Sequence, residues 1–367
     1  MAIAENTPVD PLPTSPSIPT VPQPKPKAVK APKPKPAAPK PEPAKKKKQG
    51  RKGVKMLKTL GWLAFIVSVI FLARWAFKER PMTSLNGEWR KAQEWAGPGV
   101  KQGLLNQARQ VGVDSKGDVY VTDRDNHRVQ KFTAEGRWVR SWGGMGKNKD
   151  QFNQPFGLAV DRENNLIYVV DTWNNVVKQF DPQGKLLRLI PPKNAGFFGP
   201  RSIAIGMGGM IYITDTGHQR VIKYDGKGMY IREWGTLGAG KGQFNEPVGI
   251  AVDAQENVYV ADMNNRRIQK FDKDGKFLAK WPYKGLKGNY PLEPYLSIDA
   301  ENRVYLSDAG AGRFQVFTSN GKLLGAWGKD AKESPFEGPI CSAFGTMDDA
   351  FVTDTNTQKI YRFIRVH

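Results

Sequence analysis

The chain is poor in the residues that most often carry chemistry. It has a single cysteine, Cys341, so no intramolecular disulfide can form. A large domain buries enough core to fold without one, and the lone thiol reads as a small buried apolar side chain. Histidine is nearly as rare: His127, His218 and His367. A metal site needs several ligands converging on one point, and none of these histidines falls on a predicted innermost strand. No Gly-x-Ser-x-Gly elbow and no readable Ser/His/Asp set occurs. No catalytic residue, metal site or cofactor is therefore expected.

Acid is scarce as well. Asp and Glu total 35 against 56 Lys and Arg, a net charge of +21. The imbalance is local. Residues 1–80 hold 17 basic and 4 acidic residues, and residues 81–367 hold 39 and 31. The excess sits mostly in the N-terminal fifth, which weighs against nucleic acid as a partner of the remainder.

Residues 1–55 nearly lack large apolar side chains and contain 14 prolines. Such a stretch cannot bury a core, and a disordered Pro/Lys-rich tail is expected. A single long apolar run follows, Thr59–Ala73, bounded by Lys58 and Arg74, with Trp62 and Trp75 near its ends. If the flanking cations snorkel, residues 56–77 suffice for one transmembrane helix. A cleaved signal peptide competes, but its basic start is short, and here 58 residues precede the run. The flank before the run is far more basic than the flank after it. The positive-inside rule then puts the N-terminus in the cytoplasm and the later residues outside it. The Lys/Arg cluster at 45–58 suits contact with anionic lipid. Residues 78–88 read as a linker.

Residues 89–367 repeat one phrase six times. It begins as VYVTDRDNHRVQKF (Val119–Phe132) and returns at Ile167, Ile211, Val258, Val304 and Ala350. The anchoring residues Asp123, Asp171, Asp215, Asp262, Asp308 and Asp354 lie 48, 44, 47, 46 and 46 residues apart. A strand-rich unit with that period predicts an all-β, six-bladed β-propeller. The repeat from Pro247 parses into four strands, with a tight Asp272–Gly275 hairpin between the last two. Blades are expected near 98–142, 153–190, 199–234, 245–281, 293–327 and 338–367. The last repeat ends after its third strand. The segment Trp89–Gly97 has the fourth-strand ending seen at Arg140–Gly144 and Arg232–Thr236, so residues 89–95 are expected to close the ring.

This pattern resembles the NHL-repeat family of six-bladed propellers. The nearest match to its Asn-His-Leu triplet is Asn126-His127-Arg128. The resemblance covers about residues 89–367 and implies a binding scaffold, a fold that some relatives adapt to metal-dependent lyase chemistry and others to RNA. A propeller-type lyase or lactonase and a nucleic-acid-binding domain are thus the alternatives to a binding module.

Several tempting motifs are better read as scaffold. Asp123/Arg128, Asp215/Arg220, Asp262/Arg267, Asp308/Arg313 and Asp354/Lys359 recur once per blade, with Asp171/Val176 as the exception. Catalytic groups do not recur six times, so these pairs are expected to be structural. Asp272–Lys276 lacks the later ligands of a calcium loop, and Gly235–Phe244 lacks the Gly-Lys-Ser/Thr ending of a phosphate loop.

Binding should instead use residues where the copies differ. At the start of the first strands these are Arg109, Phe156, Arg201 and, nearby, Tyr295. In the loops between second and third strands they are Arg124, Trp173, Met263 and Arg266. Trp173 suits a contact aromatic, and Arg109 and Arg201 suit an anion at the channel mouth. The expected partner is a protein, peptide or glycan on this loop face, with no catalysis. Deleting residues 85–97 should lower the melting temperature of the whole propeller; an unchanged melt would refute closure by this segment.

Overall fold

The computed structural model describes Leu85 and residues 88–192, 196–284, 293–328 and 336–366. The Pro/Lys-rich tail, the Lys/Arg cluster at 45–58 and the predicted span 56–77 lie outside them. Among the described residues no helix is long and apolar enough to cross a membrane.

Among the described residues twenty-four strands form six four-stranded antiparallel sheets, in the order β2-β3-β4-β5, β6-β7-β8-β9, β10-β11-β12-β13, β14-β15-β16-β17, β18-β19-β20-β21 and β22-β23-β24-β1. Blade 1 contains β2 (Ala108–Val113), β3 (Val119–Asp123), β4 (Arg128–Phe132) and β5 (Trp138–Gly143). Blade 2 contains β6 (Pro155–Asp161), β7 (Leu166–Asp171), β8 (Val176–Phe180) and β9 (Leu186–Ile190). Blade 3 runs from β10 (Pro200–Ile205) through β11 (Ile211–Asp215) and β12 (Arg220–Tyr224) to β13 (Tyr230–Trp234). In blade 4 the strands are β14 (Pro247–Val252), β15 (Val258–Asp262), β16 (Arg267–Phe271) and β17 (Phe277–Pro282). Blade 5 holds β18 (Leu296–Ile298), β19 (Val304–Asp308), β20 (Arg313–Phe317) and β21 (Leu323–Gly328). Blade 6 joins β22 (Pro339–Phe344), β23 (Asp349–Asp354) and β24 (Lys359–Arg365) to β1 (Trp89–Ala96).

The pairing of β1 with β24 runs from Trp89 opposite Arg365 to Ala96 opposite Lys359. It joins the N-terminal strand to the C-terminal one and gives blade 6 its fourth strand. Trp89 stacks near Trp327 and Phe344, at 5.5 and 5.7 Å between ring centres, so the same strand also ties blade 6 to blade 5. At its other end Trp95 packs over Gly136 in blade 1.

That last contact is a repeated seam. Trp142, Trp234 and Trp281 lie over Gly184, Gly275 and Gly321 of the next blade's hairpin turn. At Gly275 the backbone has φ +77°, and a Cβ there would stand 2.6 Å from the Trp234 ring. Both the left-handed backbone and the close approach demand glycine. Large aromatics of this kind, Trp281 buried and the other three partly buried, line the seams between blades.

The second strands are buried on both faces, as their unbroken apolar runs require. Each ends in a buried aspartate, and in five blades it receives a backbone N–H from the loop linking it to the preceding blade. Asn106, Asn153, Phe198 and Asn245 donate to Asp123, Asp171, Asp215 and Asp262, each at 2.7 Å. Arg128, Arg220, Arg267 and Arg313 pair with Asp123, Asp215, Asp262 and Asp308. The expected exception at Asp171 is repaired from another position: Lys178, two residues beyond Val176 and buried, reaches the carboxylate at 2.9 Å. The expected pair Asp354/Lys359 does not form as a salt bridge. Lys359 extends to Glu94 of the closing strand, at 2.5 Å, and Asp354 is satisfied by the backbone N–H groups of Glu337, Gly338, Asn356 and Thr357. Placing β1 beside β24 offers Lys359 an exposed partner that needs no desolvation.

Because Asp171 is fully buried, removing its cation should be costly. Lys178→Met should lose about 3–5 kcal/mol in denaturant unfolding. Adding Val176→Arg to that variant restores the arginine used in other blades and should recover most of the loss. A double variant no more stable than the single one would refute the substitution of roles.

Candidate binding site at the channel mouth

In five of the blades the first strand opens with a register shift immediately after its first residue pairs with the conserved aspartate. One extra residue on the first strand makes a bulge, which re-aims the side chains that follow. Arg109, Phe156, Arg201, Val248 and Ile340 all sit at this bulge. The residue before the strand is held with positive φ at Gln107, Gln154 and Glu246.

The bulge is fixed by hydroxyls on the second strands. Thr122 Oγ1 accepts the Gln110 N–H and donates to the Phe156 carbonyl in the next blade. Thr214 does the same for Ser202 and the Val248 carbonyl, and Thr353 donates to the Arg109 carbonyl. Blades 1, 3 and 6 therefore each set the mouth residue of the next blade. Loop side chains add a second tie between blades: His127 Nδ1 accepts the Gln154 N–H, Asn175 accepts that of Gly199, and Gln219 that of Glu246. The His127 side chain is a structural staple between blades 1 and 2.

Six of the eight predicted residues converge. The guanidinium carbons of Arg109, Arg124 and Arg201 stand 5.5, 5.4 and 4.5 Å from the centre of the Phe156 ring. Arg201 also lies 5.4 Å from the Trp173 ring. Trp173 is 48% exposed, and its indole N–H donates to Gln154 Oε1 at 2.7 Å. Arg124 forms a two-pronged pair with Asp125, at 2.7 and 3.1 Å.

Glu293, which the sequence reading did not single out, ties the group together. Its Oε1 meets Arg201 at 3.0 Å and its Oε2 lies 3.9 Å from Arg109 Nε. Tyr295 donates its hydroxyl to Oε2 at 3.0 Å. A carboxylate from blade 5 thus joins arginines from blades 1 and 3 across the mouth. Arg109 is 2% exposed and donates to Gln107, the Ala108 carbonyl and Thr355. Burial lowers its pKa from the usual arginine value. Burial, and next the Glu293 charge, push the Tyr295 phenol well above its ordinary value, so it remains a donor. The signal that could have exposed Glu293 was its position two residues before the aromatic at the mouth of blade 5.

Three predicted contact residues pack into the core or against it. Phe156 and Tyr295 are almost fully buried, so they floor the site and do not meet a partner from solvent. The bulge turns Phe156 under the arginines, and Tyr295 packs with Val248 and Ile340 in the apolar cluster of the mouth. Met263 packs against that same cluster. Arg266 is exposed on its loop, takes φ +50° there, and accepts the Tyr283 N–H through its carbonyl.

Among the described residues no group of three His, Cys, Asp or Glu side chains is placed to hold a metal ion. His218 pairs with its own blade's Asp215 at 2.9 Å. Asp272 accepts the N–H groups of Asp274 and Lys276 within its hairpin, a turn geometry. At the far end of the channel, a 390 Å³ cavity is walled by the inner strands around Val111, Val160, Ile205 and Val252, with Arg162 at its edge. Arg162 there donates to the Val113 and Phe344 carbonyls.

Comparison with known proteins agrees with this architecture. The NHL repeat model matches residues 105–132, 152–180 and 244–271. The chain is 28% identical over 138 residues to Protein brain tumor of Drosophila melanogaster, covering 37% of this chain and 13% of that protein. It is 26% identical over 196 residues to peptidylglycine alpha-amidating monooxygenase of Rattus norvegicus, covering 44% of this chain and 20% of that protein. The aligned part is therefore a fifth or less of these relatives. Among solved structures it resembles a catalytically inactive virginiamycin B lyase from Staphylococcus aureus with quinupristin (TM-score 0.52, 16% identity, 73% of this chain and 83% of that one). It also resembles a streptogramin B lyase (TM-score 0.52, 12% identity, 76% and 98%). Identities this low establish a shared fold.

Cys341 lies on the innermost strand β22 but is sealed in the core, and burial pushes its thiol up to about 11. At pH 8 only about 0.1% would be thiolate. Iodoacetamide should label the folded protein at pH 8 at least about a hundredfold more slowly than the guanidinium-unfolded protein; equal rates would refute the buried placement.

Proposed function

We propose, for a chain whose NHL repeats build a six-bladed propeller, a non-catalytic binding or scaffold module. It recognises a protein, peptide or glycan partner on the face that carries the blade-linking loops. The supporting observation is Trp173, a half-exposed indole beside Arg201, one of three arginines around Phe156, on a face whose repeated residues are mostly committed to holding blades together. Large amphipathic aromatics and arginines with fixed geometry are the side chains that anchor interfaces most strongly.

The same proposal places the module at a membrane. Residues 56–77 are its anchor, with the N-terminus in the cytoplasm and the propeller outside, because the basic flank precedes the apolar run. The Lys/Arg cluster at 45–58 would meet anionic lipid on the cytoplasmic side.

Two measurements test these parts separately. A reporter that is active only outside the cytoplasm, fused after residue 367, should be active; activity of a cytoplasm-only reporter there would overturn the orientation. Partner capture by cross-linking of the full chain in its native membrane should fall at least about tenfold in the variant Trp173→Ala with Arg124→Glu, at an unchanged melting temperature. Undiminished capture would move the binding surface to another face.

A further inference from the structure

We propose that the channel mouth is a recognition site for a carboxylate carried on an apolar or aromatic group, a site that Glu293 partly occupies from within. The inference rests on the reading of this face as a binding surface, and it specifies what that surface holds.

The first observation is charge. Three guanidinium groups surround the Phe156 ring, yet among the described residues only Glu293 and Asp125 pair with them. Three positive charges against two negative leave one unneutralised at a partly buried site, where mutual repulsion is screened weakly. A single added negative charge balances the group.

The second is an unpartnered donor. Arg109 Nε finds no hydrogen-bond partner among the described residues, although its side chain is 2% exposed. The nearest carboxylate oxygen stands 3.9 Å away, beyond hydrogen-bond reach. A buried N–H left unmade is costly unless another acceptor arrives.

The third is the shape of the present occupant. Glu293 offers one oxygen to Arg201 and the other to Tyr295. A planar two-oxygen acceptor therefore already suits the donors, as guanidinium geometry favours. The fourth is the neighbouring surface. Trp173 has its N–H committed to Gln154 and its ring half exposed, and Arg124 and Arg201 keep 17% and 16% side-chain exposure. A ligand whose carboxylate meets Arg124 and Arg201 would rest its apolar part on that indole.

The test is calorimetric titration of the purified full chain with three probes: N-acetyl-L-phenylalanine, its uncharged amide, and inorganic phosphate. The free acid should bind at least about tenfold more tightly than either of the others, since a charge-assisted pair is lost in the amide. Arg201→Gln should abolish the binding. Glu293→Gln should strengthen it about tenfold, because the internal competitor is removed. If Glu293→Gln melts below the assay temperature, Glu293→Asp, which retracts the carboxylate by one methylene, replaces it and should also bind more tightly. Equal binding of acid and amide, phosphate binding as tight as the acid, or Glu293 variants that bind no better would each overturn the inference. Failure here with partner capture still dependent on Trp173 sinks only the carboxylate. Carboxylate binding with capture independent of Trp173 sinks the wider functional reading.

Discussion

The structure depends on a buried carboxylate that accepts a backbone N–H from the loop linking its blade to the one before. Asp123, Asp171, Asp215 and Asp262 each do this at 2.7 Å, and Asp354 does it with two N–H groups of its own loop. A charge so placed has to be paired, and a nearby cation supplies the pair in most blades. The cation is not tied to one position. Lys178 serves where Val176 cannot, and Asp354 does without a salt bridge because backbone donors fill its shell. What is conserved from blade to blade is the satisfied carboxylate, and the residues around it vary.

From this constraint the site follows. The aspartate pairs with the first residue of the inner strand, and the bulge comes directly after it. In three blades a threonine hydroxyl then carries the geometry to the next. Five mouth positions thus become equivalent places on a ring, and the differences between them decide what the ring can bind. Arginine at two of these places and phenylalanine between them build a cationic floor around an aromatic ring. Glu293 crosses the mouth to meet both arginines, so blades distant in sequence are tied through one side chain.

Much of the fold was legible before any coordinates. The aspartate spacing gave the blade number, and the Trp89–Gly97 segment identified the closing strand, because a fourth-strand ending in front of the first repeat has only one vacant edge to fill. The site was legible in part. Subtracting the repeat left Arg109, Arg124, Phe156, Trp173 and Arg201, which the fold brings together. The same subtraction also produced Arg266, whose carbonyl holds the Tyr283 N–H, and Tyr295, which is buried beneath the mouth. It passed over Glu293, since a lone glutamate before a proline has no periodic partner to be compared with.

The sequence by itself determined the architecture, because a period is a property of the chain and each blade reuses the same local hydrogen bonds. It also determined the basic tail and the apolar run. Tertiary structure alone decided which cation meets which carboxylate and which mouth residues face inward. Those depend on side chains from different blades approaching within a few ångströms, and residues more than a hundred positions apart, such as Arg109 and Glu293, carry no mark of one another along the chain.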